Sequence, residues 1–144
     1  MGLRALLRRR RVTPPVWLDP DDPALEVVIE AFDAARADSA VLAEAVARGV
    51  DVEQPLLVRH HLIALPDVAA VERARELLGQ DGYAVLEVPD AERPRSVLAV
   101  RTQVLTALSA SQERSRMAGL AQRLGGDVVG WDALAPGDKP APDR

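Results

Sequence analysis

The sequence has no cysteine and only four aromatic residues among its 144 positions. Without cysteine the chain can form no disulfide, no thiolate metal site and no cysteine nucleophile. This absence is typical of a reducing compartment, and we expect a cytoplasmic protein. The scarcity of aromatic rings leaves little to stack on nucleic-acid bases. Because hydrophobic residues make up 48% of the chain, the core must be built mainly from Leu, Val, Ile and Ala.

Long apolar runs are also missing. No stretch is long enough to span a bilayer, so the sequence predicts no membrane span. The first residues place a very short apolar patch before a basic run, and no apolar region follows, which excludes the pattern of a signal peptide. Leu6 stands where a myristoylation signal beginning at Gly2 requires Ser or Thr.

Charge is divided unevenly along the chain. The net charge is −4, but residues 1–11 carry five arginines and no acid, which leaves −9 for residues 12–144. An acidic body repels phosphate, so we expect a protein partner and no direct nucleic-acid binding by the folded domain. The basic run is interpreted either as a contact for an anionic surface or as a solvated tail. It consists of Arg8, Arg9, Arg10 and Arg11.

The length suits one domain. Residues 1–20 read as a basic flexible arm and a proline linker, because Pro14 and Pro15 prevent a helix from continuing. Residues 21–134 are predicted to form a single α+β domain. Residues 135–144 have the composition of a disordered tail.

Residues 21–49 show apolar side chains at helical spacing, followed by Gly49 in the position of a C-terminal cap. They therefore predict an N-terminal helical segment, either one bent helix or two short ones. The apolar stripe starts with Leu25, Val28, Ile29 and Phe32.

Four strand-like runs and two helix-like runs follow between residues 55 and 134. The first helix is predicted to open at Pro66-Asp67, and the second to be capped by Ser109 or Ser111. The order β-α-β-β-α-β predicts a ferredoxin-like sandwich with a four-stranded antiparallel sheet over residues 55–134. The predicted strands are Pro55–Leu65, Tyr83–Val88, Ser96–Leu105 and Asp127–Trp131.

Alternation along these strands predicts a mixed face of charged and aliphatic side chains. One interpretation is a binding face, and another is a face covered by the N-terminal helix, with ordinary cross-strand ion pairs. As a binding face it suits a protein, or a small anion held between Arg59 and Arg101 near His61, as in a sensor or enzyme domain. RNA-binding sheets expose aromatics on their central strands, which the predicted first and third strands lack. The predicted face carries Arg59, His61, Glu87, Arg101 and Gln103.

His60 and His61 are the only histidines. Neighbouring residues on a strand point to opposite faces, so the pair cannot chelate one metal ion. We expect His60 to be buried and His61 to be partly exposed. Phosphate-binding loops and nucleophile elbows are absent from the sequence, so no catalytic residue, metal or cofactor is predicted.

Trp131 follows Gly130 near the end of the domain. One interpretation makes its indole a surface anchor for a partner, because tryptophan is enriched at interface hot spots. The other makes it a core residue that closes the sheet. Tyr83 is expected to lie in the core with its hydroxyl at the rim.

Two stretches of the sequence resemble a known family. They are HHLIALPDVAAVERARELLGQDGYAV at 60–85 and LAQRLGGDVVGWDAL at 120–134. Both are similar to the regulators of ribonuclease E activity, type B, whose closing element is Asp-Gly-Trp. Here Val129 replaces the acid, while Gly130 and Trp131 are kept.

The resemblance implies a fold of ferredoxin-like order. It also implies a protein that binds a ribonuclease E-type endoribonuclease and lowers its activity without catalysis of its own. The known regulators have strongly acidic ends, whereas the C-terminus here reads PGDKPAPDR and the N-terminus is basic. If acidity carries the partner contact, this difference predicts a different partner.

Overall fold

The computed structural model describes residues 17–89 and 95–137, which form five strands and three helices. The predicted arginine arm at Arg8–Arg11, residues 90–94 and residues 138–144 of the predicted tail lie outside the described residues. Ala135 and Pro136, which were also predicted as tail, belong to the last strand. In chain order the elements are β1 Leu25–Ala31, α1 Asp38–Ala47, β2 Leu56–Ile63, α2 Val68–Gly79, β3 Ala84–Val88, β4 Ser96–Gln103, α3 Ala107–Arg123 and β5 Asp127–Pro136.

Within the described ranges, the five strands form one sheet in the order β1-β5-β2-β4-β3, and every neighbouring pair is antiparallel. The prediction of a mixed domain with an antiparallel sheet is confirmed, but the count of four strands is wrong. From β2 to β5 the element order is β-α-β-β-α-β, as expected. The assignment to the ferredoxin-like class itself stays a prediction.

The fifth strand is β1, which lies inside the predicted N-terminal helical segment. The helix prediction is wrong for Leu25–Ala31 and right for Asp38–Ala47. Three β-branched residues in succession, Val27 to Ile29, favour an extended backbone. The deciding factor is β5, which continues to Pro136 and pairs along one edge with β1 and along the other with β2.

Side-chain caps mark the start of two helices. Asp67 accepts a hydrogen bond from the Ala70 backbone amide at 2.9 Å and begins α2, as the sequence predicts. At α3 the N-cap is Thr106, whose hydroxyl accepts from the Ser109 amide at 3.0 Å, while the Ser109 hydroxyl accepts from the Thr106 amide. The predicted caps, Ser109 and Ser111, therefore lie inside the helix, which begins earlier than its apolar pattern suggests.

All three helices pack on one face of the sheet, which we call the covered face. Helices α2 and α3 bury Leu78 and Met117 against Leu62. Helix α1 buries Val41 against Ile29 and Trp131.

The opposite face, called the open face, carries no helix in the described parts of the chain. The segment Trp17–Ala24 crosses part of it. There Leu18 packs near Leu57 and Val100, and its backbone amide donates to the Thr102 hydroxyl at 3.0 Å.

Candidate functional site

The register between β2 and β4 decides on which face each predicted site residue lies. Arg101 pairs with Val58 and Gln103 pairs with Leu56, both of which belong to the covered face. Because directly paired residues share a face, Arg101 and Gln103 lie under the helices, while Arg59 lies on the open face.

Glu87 also lies on the covered face. Its carboxylate accepts from Arg75 of α2 at 3.3 Å. The predicted single face is therefore divided between two faces: only Arg59 and His61 of the five lie on the open one. Alternation assigns faces within each strand, but it cannot align one strand with another.

On the open face, Arg59 and His61 converge on Asp132 of β5. The Arg59 guanidinium donates to both carboxylate oxygens of Asp132, at 2.9 and 2.6 Å. His61 Nε2 lies 3.1 Å from Asp132 Oδ1, within hydrogen-bonding distance. We call these three residues the open cluster.

Asp132 is 3% exposed. Burial acts to raise the pKa of Asp132, but the hydrogen bonds from Arg59 and His61 outweigh it, so its pKa lies below the ordinary value. The hydrogen bond to Asp132 raises the pKa of Arg59 in turn. The carboxylate is therefore held in its charged form.

Sequence reasoning missed Asp132. It follows directly on Trp131, in a stretch that resembles the family, but the predicted strand ended one residue before it. The one available signal was that Asp132 directly follows the predicted strand. Extending that strand by one residue would have placed this acid beside β2.

A row of aromatic and aliphatic side chains crosses the open face and shares His61 with the open cluster. Leu98 of β4 pairs with His61, and Leu86 of β3 pairs with Leu98. At the other end, the Phe32 ring meets the His61 ring edge-on, with centroids 5.0 Å apart and planes at 86°. We call Phe32, His61, Leu98 and Leu86 the apolar row.

Gly130 makes the contact between Phe32 and His61 possible. Gly130 pairs with His61 and has a φ of 140°. A Cβ at this position would lie 2.9 Å from Phe32 Cδ1 and would overlap the Ala31 carbonyl oxygen. The missing side chain lets Phe32 reach across β5, which is a physical reason for glycine in this element.

The covered face holds a second polar cluster around Glu113 of α3. Glu113 Oε2 accepts hydrogen bonds from Arg101 at 3.0 Å and from Gln103 at 2.7 Å. His60 Nε2 lies 3.5 Å from Glu113 Oε1, and the Arg101 guanidinium sits 4.1 Å above the Tyr83 ring. We call these five residues the covered cluster.

Burial acts to raise the pKa of Glu113, but the nearby His60, the hydrogen bond from Gln103 and the charge of Arg101 outweigh it, so its pKa is lowered. For Tyr83, burial followed by the charge of Glu113 raises the pKa of the phenol.

The predicted burial of His60 is confirmed: it is 1% exposed, whereas about a quarter of the His61 side chain is exposed. Tyr83 lies in the core as expected, at 5% exposure, but its hydroxyl is also buried, so the prediction that the hydroxyl lies at the rim is wrong.

Trp131 is 1% exposed and belongs to the core around α1. Its indole Nε1 donates to Asp38 Oδ1 at 3.1 Å, and Asp38 also accepts from the Arg114 guanidinium at 2.8 Å. This arrangement joins β5, α1 and α3. The burial agrees with the interpretation of Trp131 as a core residue, because so little of the indole is accessible to a partner.

Within residues 17–89 and 95–137, no group of three acidic or histidine side chains is arranged to hold a metal ion. None of the helices described there is long and apolar enough to cross a membrane.

Comparison with known proteins gives one match. The family model described as Regulator of ribonuclease activity B matches residues 35–133, which is more than half of the chain. Searches of curated proteins and of solved structures return no match. The matched region contains the open cluster, whereas Phe32 lies just before it.

Proposed function

The chain belongs to the family of regulators of ribonuclease activity B, and we propose that it regulates a ribonuclease E-type endoribonuclease by binding it, without a reaction of its own. The family match over residues 35–133 is the observation that carries this proposal. The proposal also includes a cytoplasmic location, because a chain without cysteine is typical of a reducing compartment.

The edges of the sheet are poorly suited to receive a partner strand. On β1, the Arg48 guanidinium donates to the Val28 carbonyl at 3.2 Å, and the strand carries an irregularity between Val27 and Ile29. On β3, the Arg75 guanidinium donates to the Val85 carbonyl at 2.6 Å. Such features discourage pairing at a sheet edge.

The open face is the better surface for a partner. Helices occupy the opposite face, and the segment Trp17–Ala24 covers only part of this one. A groove of about 550 Å³ beside Arg59 and Leu98 continues along β3. Fixed polar groups next to partly exposed aliphatic ones are a combination typical of protein interfaces.

The alternative of a small anion held between Arg59 and Arg101 is not supported by the geometry. The two guanidinium groups lie on opposite faces of the sheet. Each already has a carboxylate partner, Asp132 for Arg59 and Glu113 for Arg101. Neither arginine therefore offers an unpaired charge to a ligand.

The test combines binding with activity. The purified chain is titrated into a ribonuclease E-type endoribonuclease, and both the affinity and the rate of RNA cleavage are measured. We expect saturable binding that lowers the cleavage rate. His61→Ala should weaken binding about tenfold, equal to about 1.4 kcal/mol, because it removes the centre of the apolar row.

The matched control is Leu108→Ala, which changes a side chain that is 66% exposed on α3. It should bind like the unaltered chain. Absence of binding together with an unchanged cleavage rate would contradict the proposed function.

A further inference from the structure

The apolar row is a part of the open face that the described residues leave accessible. Phe32 is 41% exposed, and the other three members are partly exposed. Leu57 and Val100, beside the segment Trp17–Ala24, are only 2% and 3% exposed. The row therefore presents a strip of apolar surface, with the fixed charges of the open cluster along one side.

Negative charge borders this strip. Residues 17–35 contain six acids and no basic residue. Asp21 lines the groove that also contains Leu86 and Leu98, Asp33 follows Phe32 directly, and Glu30 is the cross-strand partner of Asp132. The six acids are Asp19, Asp21, Asp22, Glu26, Glu30 and Asp33, of which Glu26 pairs with Ala135 and so belongs to the covered face.

None of these six carboxylates forms an ion pair within the described parts of the chain. The nearby Arg59 is already neutralised by Asp132. Glu30 therefore adds a carboxylate without an ion pair beside the Arg59–Asp132 pair, at the end of the strip where Phe32 lies. Arg48 lines the same pocket as Glu30, but its guanidinium donates to the Val28 carbonyl. A positive group from outside would be attracted to this position.

We propose that the apolar row receives a bulky apolar side chain from a basic segment of the partner enzyme, whose Lys or Arg side chains reach Glu30 and Asp21. This inference rests on the proposed function and specifies the chemistry of the partner. An apolar anchor supplies affinity at the centre of an interface, and opposite charges at the rim supply orientation and association rate.

A second copy of the chain fits this surface poorly. In a twofold dimer the same patch meets itself, so the acids bordering one strip would face those of the other. Such like-charge contacts disfavour association. A polyanion such as RNA is repelled for the same reason.

The test measures the affinity of full-length variants for the ribonuclease E-type enzyme. Phe32→Ala should lower the affinity at least tenfold by removing one wall of the strip. The double variant Asp21→Asn/Glu30→Gln should lower it about fivefold at low salt. The second loss should shrink in 0.5 M salt, because salt screens exposed charges.

Matched controls lie on α2, across the sheet from the strip. Val68 is 63% exposed, and the side chains of Glu72 and Glu76 are 62% and 61% exposed. Val68→Ala and the double variant Glu72→Gln/Glu76→Gln should stay within twofold of the unaltered chain. Thermal melting of each variant shows whether it is folded.

The outcomes separate the two proposals. Binding by the unaltered chain with equal affinity for all variants would overturn the apolar-row inference and leave the proposed function standing. No binding by the unaltered chain would overturn both. Self-association that Phe32→Ala abolishes would identify a second copy as the occupant and contradict the inference.

Discussion

Two adjacent histidines belong to two polar clusters of similar composition, which lie on opposite faces of the sheet. His60, on the covered face, lies beside the carboxylate of Glu113, which also binds Arg101. His61, on the open face, lies beside the carboxylate of Asp132, which also binds Arg59. Each cluster therefore contains a histidine, an arginine and a carboxylate with a lowered pKa.

The clusters differ in the elements that they join. Glu113 comes from α3, so the covered cluster connects a helix to β4 and β2. The open cluster is built entirely from β2 and β5 and has solvent on its outer side. We therefore expect like residue types to serve different purposes: the covered cluster stabilises the packing of α3 on the sheet, and the open cluster fixes the charge of a partly exposed surface.

The largest expected difference concerns the two carboxylates. Glu113→Ala should lower the free energy of unfolding by about 3–5 kcal/mol, because it leaves polar groups without their acceptor beside the buried His60. Asp132→Ala should cost about 1–3 kcal/mol, since Arg59 and His61 can turn to water. Urea denaturation measures both. An equal or larger loss for Asp132→Ala would break the comparison.

The two histidine variants should show a smaller difference in stability, again with the larger loss on the covered face. His60→Ala is expected to cost about 2 kcal/mol of stability, because it leaves a cavity between the sheet and α3. His61→Ala should cost less than about 1 kcal/mol, since its side chain is partly exposed, and its main effect should fall on partner binding. Denaturation and affinity measurements on both variants would sharpen the contrast.

The smallest effect is expected in the pH dependence of stability. Because the pKa values of Glu113 and Asp132 are lowered on folding, both carboxylates contribute fully above their unfolded values of about 4. The contribution is lost as the pH falls from there toward the folded values. Glu113→Gln and Asp132→Asn should each flatten this acid-side decline in denaturation experiments. An unchanged profile in either variant would show that its carboxylate contributes no such stability.

Much of the fold was predictable because strands β2 to β4 and helices α2 and α3 carry clear local patterns. The N-terminal strand was not. Leu25, Ile29 and Ala31 are buried in β1, and two of these positions also lie within the apolar stripe that predicted a helix. One pattern was thus compatible with two periods, and only the free edge of β5 made the strand the favoured state.

The site was predicted only in part, because its members lie far apart in the chain. Arg59 and His61 were identified from alternation, but their partner Asp132 lies 73 and 71 residues away in the chain. No local pattern connects residues so far apart. Phe32 was assigned to a helix, so its contact with His61 across Gly130 was beyond sequence reasoning.

The sequence alone determined that the chain lacks cysteine and that a basic N-terminus precedes an acidic body. It also determined that His60 and His61 point to opposite faces of a strand and that the chain resembles a known family. These properties depend on composition or on neighbouring residues. Only the tertiary structure decided that Arg101 faces Glu113, that Asp132 joins Arg59 and that Phe32 completes the apolar row. Each of these depends on strand register, which is set by packing between distant segments and not by the local period of the chain.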